Sequence, residues 1–100
     1  MVIIKKKTLD DFAKRHADAL LPLKAWYQTT VAANWRSFAD VKKDFPSTDY
    51  VGNERYVFNI KGNAYRLVVL IRFSIRTVFI KFIGTHAEYD QIDATTVNDF

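Results

Sequence analysis

Apolar positions along this chain change their period once. In the first half they recur at helical spacing; from Arg55 onward they alternate or run unbroken, as in strands. Val2-Ile3-Ile4 predicts a short strand, followed by the cations Lys5-Lys6-Lys7. Thr8-Leu9-Asp10-Asp11 has a hydroxyl and, three residues on, a carboxylate, the capping-box form. With Leu9, Phe12, Ala13 and His16 on one side, this predicts a helix over roughly 8–17. Asp18 is placed to cap a second helix, with Pro22 tolerated in its first turn because early amides lack intrahelical partners. Leu20, Leu23, Trp26, Tyr27, Thr30 and Val31 give that helix an apolar stripe ending near Asn34. The pair forms an αα-hairpin with one shared apolar side. Ser37-Phe38-Ala39-Asp40 repeats the capping signature, and Pro46 ends the short helix it begins.

The second half predicts an antiparallel meander. Arg55 to Ile60 alternates, Lys61-Gly62-Asn63 supplies a turn, and Ala64 to Phe73 reads as a long strand. Ser74-Ile75-Arg76 turns the chain again, and Thr77 to Gly84 forms a third strand, with room for a fourth. The first strand must join this sheet, since a strand so short cannot stand alone. Helices on one face then give an α+β domain spanning 1–100, a small mostly antiparallel sheet under two to three helices. Parity assigns Tyr65, Leu67, Val69, Ile71 and Phe73 to the helix side. Arg66, Val68, Leu70 and Arg72 take the opposite face, expected to be free for a ligand, with Asn59 and Lys61 across the turn from Arg66.

Composition narrows the function classes. The 100 residues contain no cysteine and two histidines, which excludes a disulfide scaffold and thiolate metal sites, and leaves metal binding by histidine to lean on carboxylates. No stretch reaches the ~18 apolar residues of a membrane span, and the start lacks a signal-peptide apolar region, so the chain reads as cytosolic. Net charge is only +4, but its distribution is uneven. From Arg55 to His86 there is no acidic residue, while Arg55, Lys61, Arg66, Arg72, Arg76 and Lys81 lie there among aromatic side chains. Such a zone suits an anionic partner such as nucleic acid; a sheet with a cationic solvent face is the plainer reading.

Motifs exclude further chemistry. There is no glycine loop for phosphate, no G-x-S-x-G, no H-E-x-x-H and no cysteine nucleophile. The remaining inventory of Arg, His, Tyr, Lys and Asp can cut RNA without a cofactor. The 2′-hydroxyl is deprotonated and attacks its own phosphate, cations hold the developing charge, and an acid protonates the leaving oxygen. The run FIGTHAEYD, residues 82–90, places His86, Tyr89 and Asp90 just past a strand-ending glycine. Singly, each has an ordinary reading: His86 a turn residue, His16 a packed core residue, Tyr89 a rim plug, Glu54 and Glu88 solvated charges.

Together they resemble a known family. YVFNIKGNAYRLVVLI (56–71) followed by FIKFIGTHAEYD (79–90), with MVIIKKKTLDDF, PLKAWYQ and SFADVKKDFPS before them, resembles the HigB-type toxins of the RelE superfamily of mRNA interferases. The resemblance implies a RelE-like fold and a metal- and cofactor-independent endoribonuclease that cuts mRNA in the ribosomal A site. It also implies a cognate helix-turn-helix antitoxin, with a toxin monomeric on its own and a higher-order complex of the two. Arg66 matches the strand arginine that contacts the scissile phosphate, and His86 falls where relatives carry a basic or imidazole group. Tyr89 falls near a catalytic or base-stacking tyrosine. Asn59 stands where other members have lysine, with Lys61 keeping a cation nearby; Asp90 and Lys81 complete the expected RNA contacts. The general base stays open between His86 and a carboxylate, Glu54 or Asp90. A non-catalytic RNA- or ribosome-binding module and a purely structural interaction domain remain the rival classes.

Overall fold

A computed structural model describes residues 1–98. In chain order it runs β1 (Val2–Ile4), α1 (Lys6–Arg15), α2 (Leu20–Ala32), α3 (Phe38–Asp44), β2 (Asp49–Gly52), β3 (Arg55–Ile60), β4 (Tyr65–Arg72), β5 (Thr77–Thr85) and α4 (His86–Tyr89). The five strands form one sheet in the order β1-β5-β4-β3-β2. Only β1 runs parallel to its neighbour, pairing Val2 with Thr77 and Ile4 with Phe79; the other pairings are antiparallel. The architecture is α+β.

The helix layer covers the face that parity assigned. Leu9 and Phe12 of α1, Leu23 and Trp26 of α2 and Val41 of α3 pack on Phe58, Ile60, Leu67, Val69 and Ile80. Trp26 meets Phe58 edge-on at 5.4 Å between ring centroids, and each such large apolar side chain contributes about 1.5–3 kcal/mol on burial. The Met1 amino group donates to the carbonyls of Thr30, Val31 and Ala33 at 3.2, 3.0 and 2.8 Å, tying the start of the chain to the carbonyl end of α2.

Helix starts differ from the capping expectation. α1 begins at Lys6, after Lys5 in the left-handed region at φ 72°, and Thr8 does not cap it. Lys6 and Lys7 instead pair with Asp10 and Asp11 one turn on, at 3.4 and 2.8 Å. Asp18 lies in a 3₁₀ turn, Ala17–Ala19, and does not cap α2. At α3 the Ser37 side chain makes no cap bond; the Asp40 carboxylate accepts the Arg36 amide at 2.8 Å. Aspartate, one methylene shorter than the glutamate of a full capping box, does not complete the reciprocal pair at either place.

The opposite face is not free along its whole length. Between the pairs Val68–Phe82 and Val69–Ile80 the strand β5 carries one extra residue, Lys81. This bulge turns Phe82 and Gly84 onto the face that holds Arg66. At the other end of that face the chain beyond α4 folds back: Asn53 Nδ2 donates to the Thr95 carbonyl at 2.6 Å, and Arg55 donates to the same oxygen. Arg55 is fully buried, as is Val68. The expectation of an open face thus fails around Arg55 and Val68 and holds where Arg66 lies, and Arg55 leaves the cationic surface. Leu70 and Arg72 at the far end stay partly accessible.

Candidate active site

Three neighbours in register build the site floor. Asn59 on β3 pairs with Arg66 on β4, which pairs with Gly84 on β5. A Cβ on Gly84 would lie 2.5 Å from Phe82 Cζ and 3.1 Å from Glu88 Oε1, so a larger residue would force the Phe82 ring or α4 to shift. With no side chain opposite it on β5, the Arg66 guanidinium has room to spread. It donates through Nη1 to Asn59 Oδ1 and through Nη2 toward His86 Nδ1 at 3.4 Å. Its Cζ lies 6.0 Å from the Tyr89 ring centroid.

His86 and Tyr89 are held there by α4, a single turn with a complete capping box. Thr85 Oγ1 accepts the Glu88 amide at 3.2 Å, and Glu88 Oε1 accepts the Thr85 amide at 2.8 Å. The backbone hydrogen bond from Thr85 holds the Glu88 carboxyl below its usual range. Glu88 is therefore a structural cap as well as a solvent-exposed charge. Because a guanidinium can only donate, Nδ1 of His86 takes the acceptor role in this contact. Nε2 faces Asp90 Oδ1 at 3.8 Å.

The remaining expected residues divide. Lys61 begins the β3–β4 turn at φ 52° and places its ammonium 2.6 Å from Asp18 Oδ2. The other oxygen of Asp18 accepts the Tyr65 hydroxyl at 2.5 Å, and these bonds hold the Asp18 carboxyl below its usual range. His16 stacks on Phe12 at 4.4 Å, a packing role. Lys81 lies apart, in the bulge, where it donates to the Asn98 carbonyl at 3.3 Å and lines a shallow hollow with Leu70, Arg72 and Phe79. Glu54 pairs with Arg72 at 3.3 Å at the far end of β3, away from His86. Of the two carboxylates considered as base, Asp90 alone is beside the imidazole. Sequence reasoning missed the roles of Asp18 and Glu88, although T-H-A-E at 85–88 is itself a capping-box signature.

The site is shallow and its groups face outward; His86 is about half exposed. A hollow of about 310 Å³ opens elsewhere, between α1 and α2, lined by Leu9, Leu20, Leu23 and Tyr27. It lies on the helix side of the sheet, opposite the Arg66 guanidinium. Among the described residues no three His, Asp or Glu side chains gather in one place, and no helix is long and apolar enough to cross a membrane. What the arrangement offers is an arginine fork, an imidazole and an aromatic ring around one point on an accessible edge. That set suits a phosphodiester with a base beside it.

Comparison with known proteins agrees with that chemistry. The family model of the HigB toxin, described as the RelE-like toxic component of a toxin–antitoxin system, matches residues 19–92. The chain is 32% identical over 93 residues to the mRNA interferase toxin HigB of Escherichia coli K12, covering 90% of this chain and 88% of the relative. It is 29% identical over 94 residues to the mRNA interferase HigB of E. coli O6:H1, covering 92% and 91%. The mRNA interferase HigB of Shigella flexneri is 32% identical over 93 residues, covering 90% and 88%. With its match spanning most of the length and the helix-backed sheet in place, the chain belongs to the HigB toxin family of RelE-like toxic components of toxin–antitoxin systems.

Proposed function

We propose that this toxin is an endoribonuclease that cuts mRNA and so stops protein synthesis, with Arg66 and His86 at its reacting centre. The observation that carries the reading is the approach of Arg66 Nη2 to His86 Nδ1 at 3.4 Å on an exposed edge. Neither partner of the Arg66 guanidinium, Asn59 or His86, is a carboxylate. An RNA phosphate can replace them without breaking an ion pair, and the bonds it accepts are charge-assisted and stronger.

The chemistry follows from these positions. The 2′-hydroxyl of the nucleotide before the cut loses its proton and attacks the adjacent phosphorus. The P–O5′ bond breaks, leaving a 2′,3′-cyclic phosphate, and the departing 5′-oxygen takes up a proton. Arg66 holds the charge that builds on the phosphoryl oxygens. His86 moves a proton, its Nδ1 lone pair being freed once Arg66 turns to the phosphate. Tyr89 stacks on or orients a base. Asn59, Lys61 and Asp90 assist, with Asp90 facing Nε2 of the imidazole.

The finer assignments belong to the same reading. The message is cut in the ribosomal A site, in the cytoplasm where it is translated. A cognate antitoxin restrains the toxin, and we take that partner to be a helix-turn-helix protein.

The test is expression of Arg66→Ala and His86→Ala singly, without antitoxin, with cleavage of a reporter mRNA mapped with and without ribosomes. Arg66→Ala is expected to lower cleavage about 10²–10³-fold, and His86→Ala about 10²–10⁴-fold. Growth arrest and cleavage by both variants at the unaltered level would refute the assignment. Salt-sensitive RNA binding with no cut by the unaltered protein would make it a binding module instead.

A further inference from the structure

The 3₁₀ turn Ala17–Ala19 between α1 and α2 touches the tip of the β3–β4 hairpin through one side chain. Asp18 accepts Lys61 Nζ at 2.6 Å on one oxygen and the Tyr65 hydroxyl at 2.5 Å on the other. These two partners differ in freedom. Tyr65 is buried, its ring fixed edge-on against Phe12 at 5.2 Å and against His16 at 5.4 Å. Lys61 is exposed, its Asp18 contact half open to solvent on both sides. The carboxylate is thus anchored through the rigid partner and restrains the mobile one.

The anchor also has a fixed relation to the reacting centre. Tyr65 directly precedes Arg66 on β4 and pairs with Thr85, the residue before His86. Lys61 stands two residues past Asn59, which pairs with Arg66. One strand end therefore sets the position of Arg66, of the turn that carries His86, and, through Asp18, of the Lys61 ammonium.

We propose that Asp18 is a positioning residue for substrate binding, holding the Lys61 ammonium at the tip of the β3–β4 hairpin, beyond the Asn59–Arg66 pair, to receive an RNA phosphate flanking the scissile one. The proposal rests on the nuclease reading above. An ammonium has three donors, so Lys61 can keep Asp18 while donating to a phosphate oxygen. A lysine already held in place loses less side-chain freedom on meeting RNA than a mobile one. The effect belongs to binding and not to the chemical step, because Asp18 and Lys61 bond to each other at the hairpin tip and neither is a partner of Arg66 or His86.

The experiment is single-turnover cleavage of a ribosome-bound reporter mRNA over a range of toxin concentrations. The proteins are the unaltered toxin, Asp18→Asn, Tyr65→Phe, Lys61→Ala, the Asp18→Asn/Lys61→Ala double variant and Arg66→Ala, each checked by thermal melting. Asp18→Asn is expected to raise the half-saturating concentration about 2–5-fold, the scale of an exposed ion pair, with the maximal rate unchanged. Tyr65→Phe, which keeps the ring and removes the anchor, moves it the same way by less. Lys61→Ala reduces the salt dependence by nearly one phosphate contact, and in that background Asp18→Asn has no further effect. An unchanged or tighter half-saturation in Asp18→Asn, or an undiminished effect once Lys61 is gone, overturns the proposal. Full cleavage by Arg66→Ala would instead overturn the site itself, so the two failures are told apart.

Discussion

Two arginines stand on the same face of the sheet and have opposite fates. Arg55 opens β3 and Arg66 lies near the start of the antiparallel β4, so they occupy opposite ends of one surface. Arg55 is fully buried beneath the returning chain and donates to the Thr95 carbonyl. Arg66 remains partly accessible, with Asn59 and His86, neither of them a carboxylate, as its partners. Both guanidiniums emerge from similar strand positions, so local sequence does not separate them. Cover does: the segment after α4 crosses one end of the face, and Gly84 leaves the other end without a side chain beside Arg66. A cation under cover holds the fold together, and a cation without cover can change partners.

Replacing each arginine by methionine, which keeps length and removes charge, breaks the comparison most sharply. Arg66→Met is expected to fold normally, with stability within about 0.5 kcal/mol of the unaltered protein, while losing cleavage about 10²–10³-fold. Arg55→Met should do the reverse. It removes a hydrogen bond from a buried charged group, worth about 1.5–3 kcal/mol, which lowers Tm on the order of 10 °C. Asn53 still donates to Thr95, so the covering segment keeps one tie. Per folded molecule, cleavage stays unchanged. Equal loss of activity in both variants would show that Arg55 also reaches RNA, and would erase the distinction.

Gly84→Ala probes why the open end stays open. The added methyl would come within 2.5 Å of Phe82 Cζ and 3.1 Å of Glu88 Oε1, so the Phe82 ring or the first turn of α4 must shift. Overpacking of this kind costs about 1–3 kcal/mol. Because α4 carries His86, cleavage should fall along with stability, unlike in either arginine variant. Thermal melting and reporter cleavage on one preparation check both. Normal stability with normal cleavage would mean that Phe82 swings aside freely and that the glycine has no part in shaping the site.

The same contrast explains what could be seen in the sequence. Period and parity sufficed for β1, for β3 to β5 and for the side on which each residue of β4 falls, because buried apolar faces impose those patterns directly. They also placed Arg66, Asn59 and the residues after Gly84 at one rim. Three features escaped. The edge strand β2, Asp49–Gly52, buries little: Tyr50 is half exposed, so no alternation marks it. The bulge at Lys81 is a pairing between strands, invisible in one strand alone, and it moves Phe82 and Gly84 to the site face. The cover over Arg55 comes from residues forty positions away, turns without apolar period, and only tertiary structure brings them back. Two capping boxes were expected where Asp stands at the third position; the box that forms has Glu88 there, long enough to reach the Thr85 amide.

That capping box yields the smallest and most local test. Thr85→Ala removes the hydroxyl that accepts the Glu88 amide and should cost about 1 kcal/mol, while Glu88 still accepts the Thr85 amide. The Glu88 carboxyl is held below its usual range chiefly by that backbone bond. A depressed folded value means its contribution is fully present above the unfolded carboxyl value of about 4.3 and is lost as pH falls through the folded value. Glu88→Gln should remove this part of the acid dependence, and Thr85→Ala should retain it, since the responsible amide is unchanged. Denaturant titrations of the three proteins between neutral pH and the acid range separate the two. If α4 is an isolated lid, the losses stay in stability. If it is the mount for His86 and Tyr89, each loosening of the cap also lowers cleavage at neutral pH by several-fold, whereas Arg55→Met, though more damaging to the fold, does not.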